Sequence, residues 1–169
     1  MQTKAGSTHC FSRRAIKAGA FRPYDTQSEA EDVWANVVGP FQKMHGVELG
    51  SHIYQVGVSF VFGPVYSSGN KSAILGFWDV KPLSRGARVG FIHTHPNSPF
   101  FSGMDYAENY EGNSVARGWN YDGDLMAAAD QRIDAAMVHN GKVYRWDYQS
   151  FEKAKSYTSG YVRAGDLVK

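Results

Sequence analysis

The dipeptide Asn140-Gly141 constrains the chain more than any other pair of residues. It separates two runs, residues 133–139 and 142–148, that suit pleated strands. A two-residue connection between antiparallel strands needs positive φ at both central positions, which Asn and Gly tolerate best. The pair predicts a hairpin and therefore a sheet. Further strands are expected at residues 47–55 and 58–62, rich in β-branched and aromatic side chains around Gly57, and at Ala87–Thr94, where Val89, Phe91 and Ile92 are apolar.

Helical signals flank these strands. Thr26-Gln27-Ser28-Glu29 has capping-box spacing, and Ala30, Val33, Trp34, Val37, Val38 and Phe41 follow at helical intervals. Val33, Trp34, Val37 and Phe41 are expected to pack on the sheet, and Gly39-Pro40 is expected to end or kink the helix at Val38. Residues 102–110 read as a short helix, 112–124 as a long Gly/Asn/Asp-rich loop, and 125–131 as one or two helical turns. The order implies an α+β fold: a single domain with a mixed or antiparallel sheet against a long N-terminal helix.

Composition narrows the function classes. The chain has 169 residues, 43% of them hydrophobic and 20% charged, as expected for one globular domain. The formal net charge of +2 offers no argument for nucleic acid, and no apolar run is long enough for a transmembrane helix. The lone cysteine, Cys10, excludes an intramolecular disulfide and a thiolate-rich zinc site, so any metal must be held by His and carboxylate. Residues 1–24 carry Lys4, Arg13, Arg14, Lys17 and Arg22 and no acidic side chain. Arg13-Arg14 lacks the apolar stretch of a twin-arginine signal, so the segment reads as a basic arm. Residues 25–150 then form the domain and 151–169 a C-terminal tail.

The chemistry is concentrated in His93-Thr94-His95-Pro96 and the Ser102-Gly103-Met104-Asp105 that follows. Alternation on a strand points His93 and His95 to one face, where both can reach one metal ion. Pro96 ends the strand. Ser102 suits a helix N-cap, which would place Asp105 in the first turn. Two His and one Asp are three ligands, the number a catalytic zinc site uses while leaving a position for water.

His-x-His-Pro followed by Ser-x-x-Asp resembles the signature of the JAMM (JAB/MPN-type) zinc metallopeptidases, over roughly residues 28–148. The resemblance implies a JAB/MPN-like fold, Zn²⁺ held by His93, His95 and Asp105, and Ser102 assisting the tetrahedral intermediate. It implies a general acid/base glutamate on an upstream strand, matched here by Glu48. Two departures stand in the sequence: the His-Pro to Ser loop is short (Asn97 to Phe101), and Ser51 stands where that family has Gly. The implied activity is hydrolysis of peptide or isopeptide bonds in a protein or peptide substrate, with neither nucleic acid nor membrane as partner. Phe100-Phe101-Ser102 and the closing hairpin resemble more closely a bacterial branch that includes Rhs-type polymorphic toxins. That branch would add an immunity protein as partner and place the chain in the bacterial cytoplasm or, as a secreted effector, in a target cell. The alternatives are a peptidoglycan amidase or endopeptidase, and a non-catalytic JAB/MPN-like scaffold.

His52 shares a strand face with Glu48, either as a support or substrate contact or as a partly exposed sheet histidine. Trp119, Asn120, Tyr121 and Asp122 are candidates for a substrate groove. His9, His45, His139 and Cys10 carry no assignment.

Overall fold

Helix α1 (Gln27–His45) begins where the capping signal places it, with Thr26 Oγ1 accepting from Glu29 N at 3.1 Å. Glu29 Oε2 in turn accepts from Asp25 N at 3.1 Å, which closes the first turn. The computed structural model describes residues 19–74, 76–115 and 123–169. Pro40 does not end the helix, which runs on to Gly46, a left-handed cap whose N–H donates to Gln42 O. Pro40 and Asn36 both lie on the exposed side, so the carbonyl that loses its helical donor is on the solvent-facing side, where water can satisfy it.

The main sheet is mixed, with order β2-β1-β3-β6-β7: β1 (Gly50–Val56), β2 (Ser59–Phe62), β3 (Ala87–Thr94), β6 (Asp134–His139) and β7 (Lys142–Trp146). Only β3 and β6 pair in parallel. Their crossover carries β4 (Ala107–Glu108), β5 (Ser114–Val115) and helix α2 (Asp124–Gln131). Helix α3 (Tyr148–Ser156), β8 (Val162–Arg163) and a 3₁₀ turn (Ala164–Leu167) close the chain, and β8 joins β4 and β5 in a small second sheet. The fold is α+β, with three α-helices among the described residues. None is long and apolar enough to cross a membrane.

Alternation along the strands divides the interior into two cores. One face of the sheet packs Ile53, Ile92, Ala136 and Val138 against Ala30, Trp34 and Val38 of α1. The other packs Phe91, Ala135, Met137 and Trp146 against Leu125 and Ala128 of α2 and Phe151 of α3. Phe41 is exposed rather than packed, and Val37 is only half-buried, because α1 turns its Ala30-Trp34-Val38 stripe inward. The hairpin forms as expected, with φ of 50° at Asn140 and 79° at Gly141.

Two boundaries differ from the sequence reading. Residues 151–169 are no tail: Phe151 and Ala164 are fully buried, and Lys169 exchanges backbone hydrogen bonds with Arg145 on the β7 edge. Residues 19–24 belong to the fold, since Tyr24 exchanges hydrogen bonds with Phe60 and buries its ring against Phe62. The rest of the basic arm, with His9 and Cys10, lies outside the described residues.

Trp34 ties α1 to the sheet. Its buried indole N–H donates to Ser51 Oγ at 2.8 Å, and Ser51 Oγ donates to Pro64 O at 3.0 Å. Ser51 thus has a structural partner on the α1 side of β1. Trp34→Phe keeps most of the ring and removes the donor. The expected cost is about 1 kcal/mol, seen as a lower urea midpoint at unchanged slope. An unmoved midpoint would show that this hydrogen bond does not tether the helix.

Candidate metal centre

The site lies where β3 leaves the sheet. His93 is buried near the end of the strand, and His95 follows on the same side, with ring centroids 4.6 Å apart. Each imidazole is oriented from behind. His93 Nδ1 donates to Ala136 O on β6 at 3.1 Å, and His95 Nδ1 donates to Phe100 O at 2.8 Å. A carbonyl only accepts, so each ring carries a proton on Nδ1 and turns its Nε2 into the site.

These two nitrogens are 2.9 Å apart, and Asp124 Oδ2 is 3.3 Å from His93 Nε2 and 3.4 Å from His95 Nε2. The three side chains form a group able to hold a metal ion. Ligands about 2.0–2.1 Å from a tetrahedral zinc stand roughly 3.3 Å apart, which suits these separations. Without a metal the two Nε2 atoms and the carboxylate can stand this close only by sharing protons, and a cation at their centre would take the place of those protons. The donor set, two imidazoles and one carboxylate, is the kind zinc takes. Burial opposes the charge of Asp124, but the two imidazoles outweigh it and hold the carboxyl well below its usual range.

The expected carboxylate ligand was Asp105, and the structure puts Asp124 in its place. Residues 102–105 form turns rather than a helix: Gly103 takes φ of 80°, and Tyr106 N donates to Gly103 O. Tyr106 then enters the second core, while Asp105 points outward and pairs with Arg163 at 2.9 Å. Ser102 does cap a helix, but that helix is α2. Ser102 Oγ accepts from Asp124 N at 2.8 Å, and Ser102 N donates to Asp124 Oδ2 at 2.9 Å. The two segments meet backbone to backbone. A Cβ on Gly123 would lie 2.5 Å from Gly103 N and 2.6 Å from its Cα, so no side chain fits there. A usable signal was present in the sequence: an acidic residue after Gly, opening the apolar, alanine-rich run at 125–131.

Glu48 reaches the site through strand register. Gly50 pairs with His93, and Leu49 brackets Thr94 through Leu49 N to Thr94 Oγ1 at 3.0 Å and Thr94 N to Leu49 O at 2.8 Å. The next residue, Glu48, falls opposite His95, with Oε1 3.6 Å from His95 Nε2. Burial pushes its carboxyl up to about 7; His95 pulls it down and Asp124 pushes it further up. Glu48, His93, His95, Ser102 and Asp124 all line one cleft of about 510 Å³.

His139, which carries no assignment in the sequence, finds a role, and His52 takes the supporting one of its two readings. His139 Nδ1 donates to the His95 backbone carbonyl at 2.7 Å and fixes the chain just before Pro96. His52 is fully buried rather than partly exposed, does not line the cleft, and stacks on Phe77 with centroids 4.1 Å apart. Burial lowers its imidazole to about 4, so it is neutral near pH 7. Residues 119–122 lie outside the described residues.

No protein-family profile matches the chain, and it matches neither a curated protein nor a solved structure.

Asp124→Asn is expected to weaken zinc binding by more than about 100-fold, beyond the loss typical of outer-shell partners, while Asp105→Asn leaves it unchanged. Titration with a competing chelator measures both. Equal losses would return Asp105 to the site. Gly123→Ala keeps every ligand but forces the Ser102 turn away from α2, and should weaken zinc by about 10–100-fold on protein that remains folded by circular dichroism.

Proposed function

We propose that the chain is a JAMM-like, zinc-dependent hydrolase of amide bonds in peptide or isopeptide linkage, with Asp124 as the carboxylate ligand. The observation that supports this most is the convergence of His93 Nε2, His95 Nε2 and Asp124 Oδ2, with the Glu48 carboxylate beside His95, at the end of an open cleft. A structural zinc site is closed by four protein ligands, whereas this group offers three, as in catalytic centres. A JAB/MPN-like fold is part of the same reading. The departure from that family is the spacing, since the serine and the carboxylate it pairs with are 22 positions apart.

Zinc bound by this group would make water a nucleophile near neutral pH and polarise the substrate carbonyl. The residues supply the remainder. Glu48 accepts the proton lost by the attacking water as the oxygen–carbon bond forms. It returns that proton to the amine nitrogen as the carbon–nitrogen bond breaks. Ser102 Oγ accepts from Asp124 N, which leaves its hydroxyl proton free to donate to the developing oxyanion. His93 and His95 keep their Nε2 lone pairs aimed into the site because two carbonyls hold their Nδ1 protons. A bacterial toxin or effector role, with an immunity protein as partner, is the biological setting this reading favours.

The decisive measurement is hydrolysis of a panel of amide substrates (folded proteins, ubiquitin-like isopeptides, short peptides and purified sacculi) by zinc-loaded protein, alongside metal content. Glu48→Gln should retain zinc near one per chain and lose about 10²–10⁴ in turnover. Full activity in that variant would remove Glu48 from the chemistry. No hydrolysis across the panel by zinc-loaded wild type would end the hydrolase reading and leave a scaffold.

A further inference from the structure

The wall of the cleft beside the ligands is aromatic. Phe91 is on the same face of β3 as His93, two residues back, with ring centroids 5.4 Å apart. Trp78 stands edge-on to Phe91 at 4.9 Å and 83°, and Phe77 packs against both, 5.2 Å from Trp78 and 6.1 Å from Phe91. Phe101 closes the other side, 6.0 Å from His93. Phe77, Phe91 and Phe101 are almost fully buried, whereas Trp78 keeps 36% of its surface exposed. The cluster is therefore a formed base with one large ring presented to the cleft.

This wall is held in place from behind. His52 stacks on Phe77, and its Nε2–H donates to Phe77 O at 2.8 Å. Its Nδ1 has no hydrogen-bond partner among the described residues, so burying this histidine carries a polar penalty. Gly50 makes the approach possible: a Cβ there would lie 2.6 Å from Ile74 Cδ1 and 3.2 Å from Phe77 Cε2. The segment carrying Phe77 and Trp78 thus comes down on β1 next to the ligands, and its rings are fixed before any substrate arrives.

We infer that Trp78, with Phe77, Phe91 and Phe101 beneath it, forms a specificity subsite for a large apolar, preferably aromatic, side chain on the residue adjoining the scissile amide. This rests on the hydrolase reading above. The Phe91 ring centroid is 5.4 Å from that of His93, between one and two residues of an extended chain at about 3.3 Å each, so the wall begins beside the residue adjoining the scissile amide. Aromatic rings prefer offset or edge-to-face partners, and the exposed part of the Trp78 ring offers one.

Binding and turnover test this separately. N-acetyl-phenylalaninamide, N-acetyl-alaninamide and N-acetyl-aspartamide are titrated into metal-free and zinc-loaded protein by NMR, and matching peptides with Phe, Ala or Asp before the scissile bond are assayed for cleavage. The expected result is at least tenfold tighter binding of the phenylalanine probe, within the roughly 10–200-fold that apolar pockets achieve. Trp78→Ala and the milder Trp78→Leu should both shrink the Phe-to-Ala ratio toward one. Phenylalanine preference in binding with no cleavage of any peptide would keep the subsite and overturn the hydrolase. Cleavage without that preference, a preference unmoved in both Trp78 variants, or no detectable binding of the phenylalanine probe would overturn the subsite.

Discussion

The site depends on an exchange of two hydrogen bonds between Ser102 and Asp124. The serine hydroxyl satisfies the first free N–H of α2, and the serine N–H fixes the carboxylate oxygen that faces the histidines. A helix start has unpaired N–H groups and favours negative charge, so Asp124 is held ionised where a cation would use it. The exchange requires two backbones to touch, which is why glycine occupies both sides of the contact. The remaining site residues are placed by the sheet.

That placement follows from strand pairing. Pairing of β1 with β3 puts Glu48 opposite His95, and parallel pairing of β3 with β6 puts Ala136 O behind His93 and Val138 O on His95 N. A register slip of one residue in either pair would turn a site residue to the opposite face. The two cores protect this register from both sides, with Ile92 and Thr94 buried toward α1 and Phe91 and His93 buried toward α2. Rigid strands carry three of the five cleft residues discussed as machinery or ligands, or their immediate flanks. A turn and a helix start carry the other two.

The strand-borne part was legible in the sequence because it depends on local periodicity. His93 and His95 on one face, Ala87–Thr94 as a strand, the Asn140-Gly141 turn and the Thr26 cap all follow from spacing within a few residues. Glu48 is expected only through the family resemblance, which implies a glutamate on an upstream strand. Asp105 is not a ligand because Ser102-Gly103-Met104-Asp105 is not one local cap: the serine caps a helix much further along the chain. Local rules cannot foresee a cap supplied across a chain excursion. The persistence of α1 through Pro40, and the packing of residues 151–169, were hidden for a related reason. The first turns on which carbonyl faces solvent, and the second on contacts with strands distant in sequence.

The close contact of Gly103 with Gly123 also separates the site from the chain that links its parts. The excursion between them leaves and returns at nearly one point, so its ends are joined in space whatever its length. Closing a longer loop between fixed ends costs only about 0.6 kcal/mol for each doubling of length. Residues could be gained or lost at its exposed turn, residues 110–112, at small thermodynamic cost while the ligand geometry stayed the same. Two chains with the same centre could then share no fixed interval between serine and aspartate, and a pattern written with constant spacing would separate them. The conserved quantity would be a meeting point of two backbones, which a linear motif cannot express.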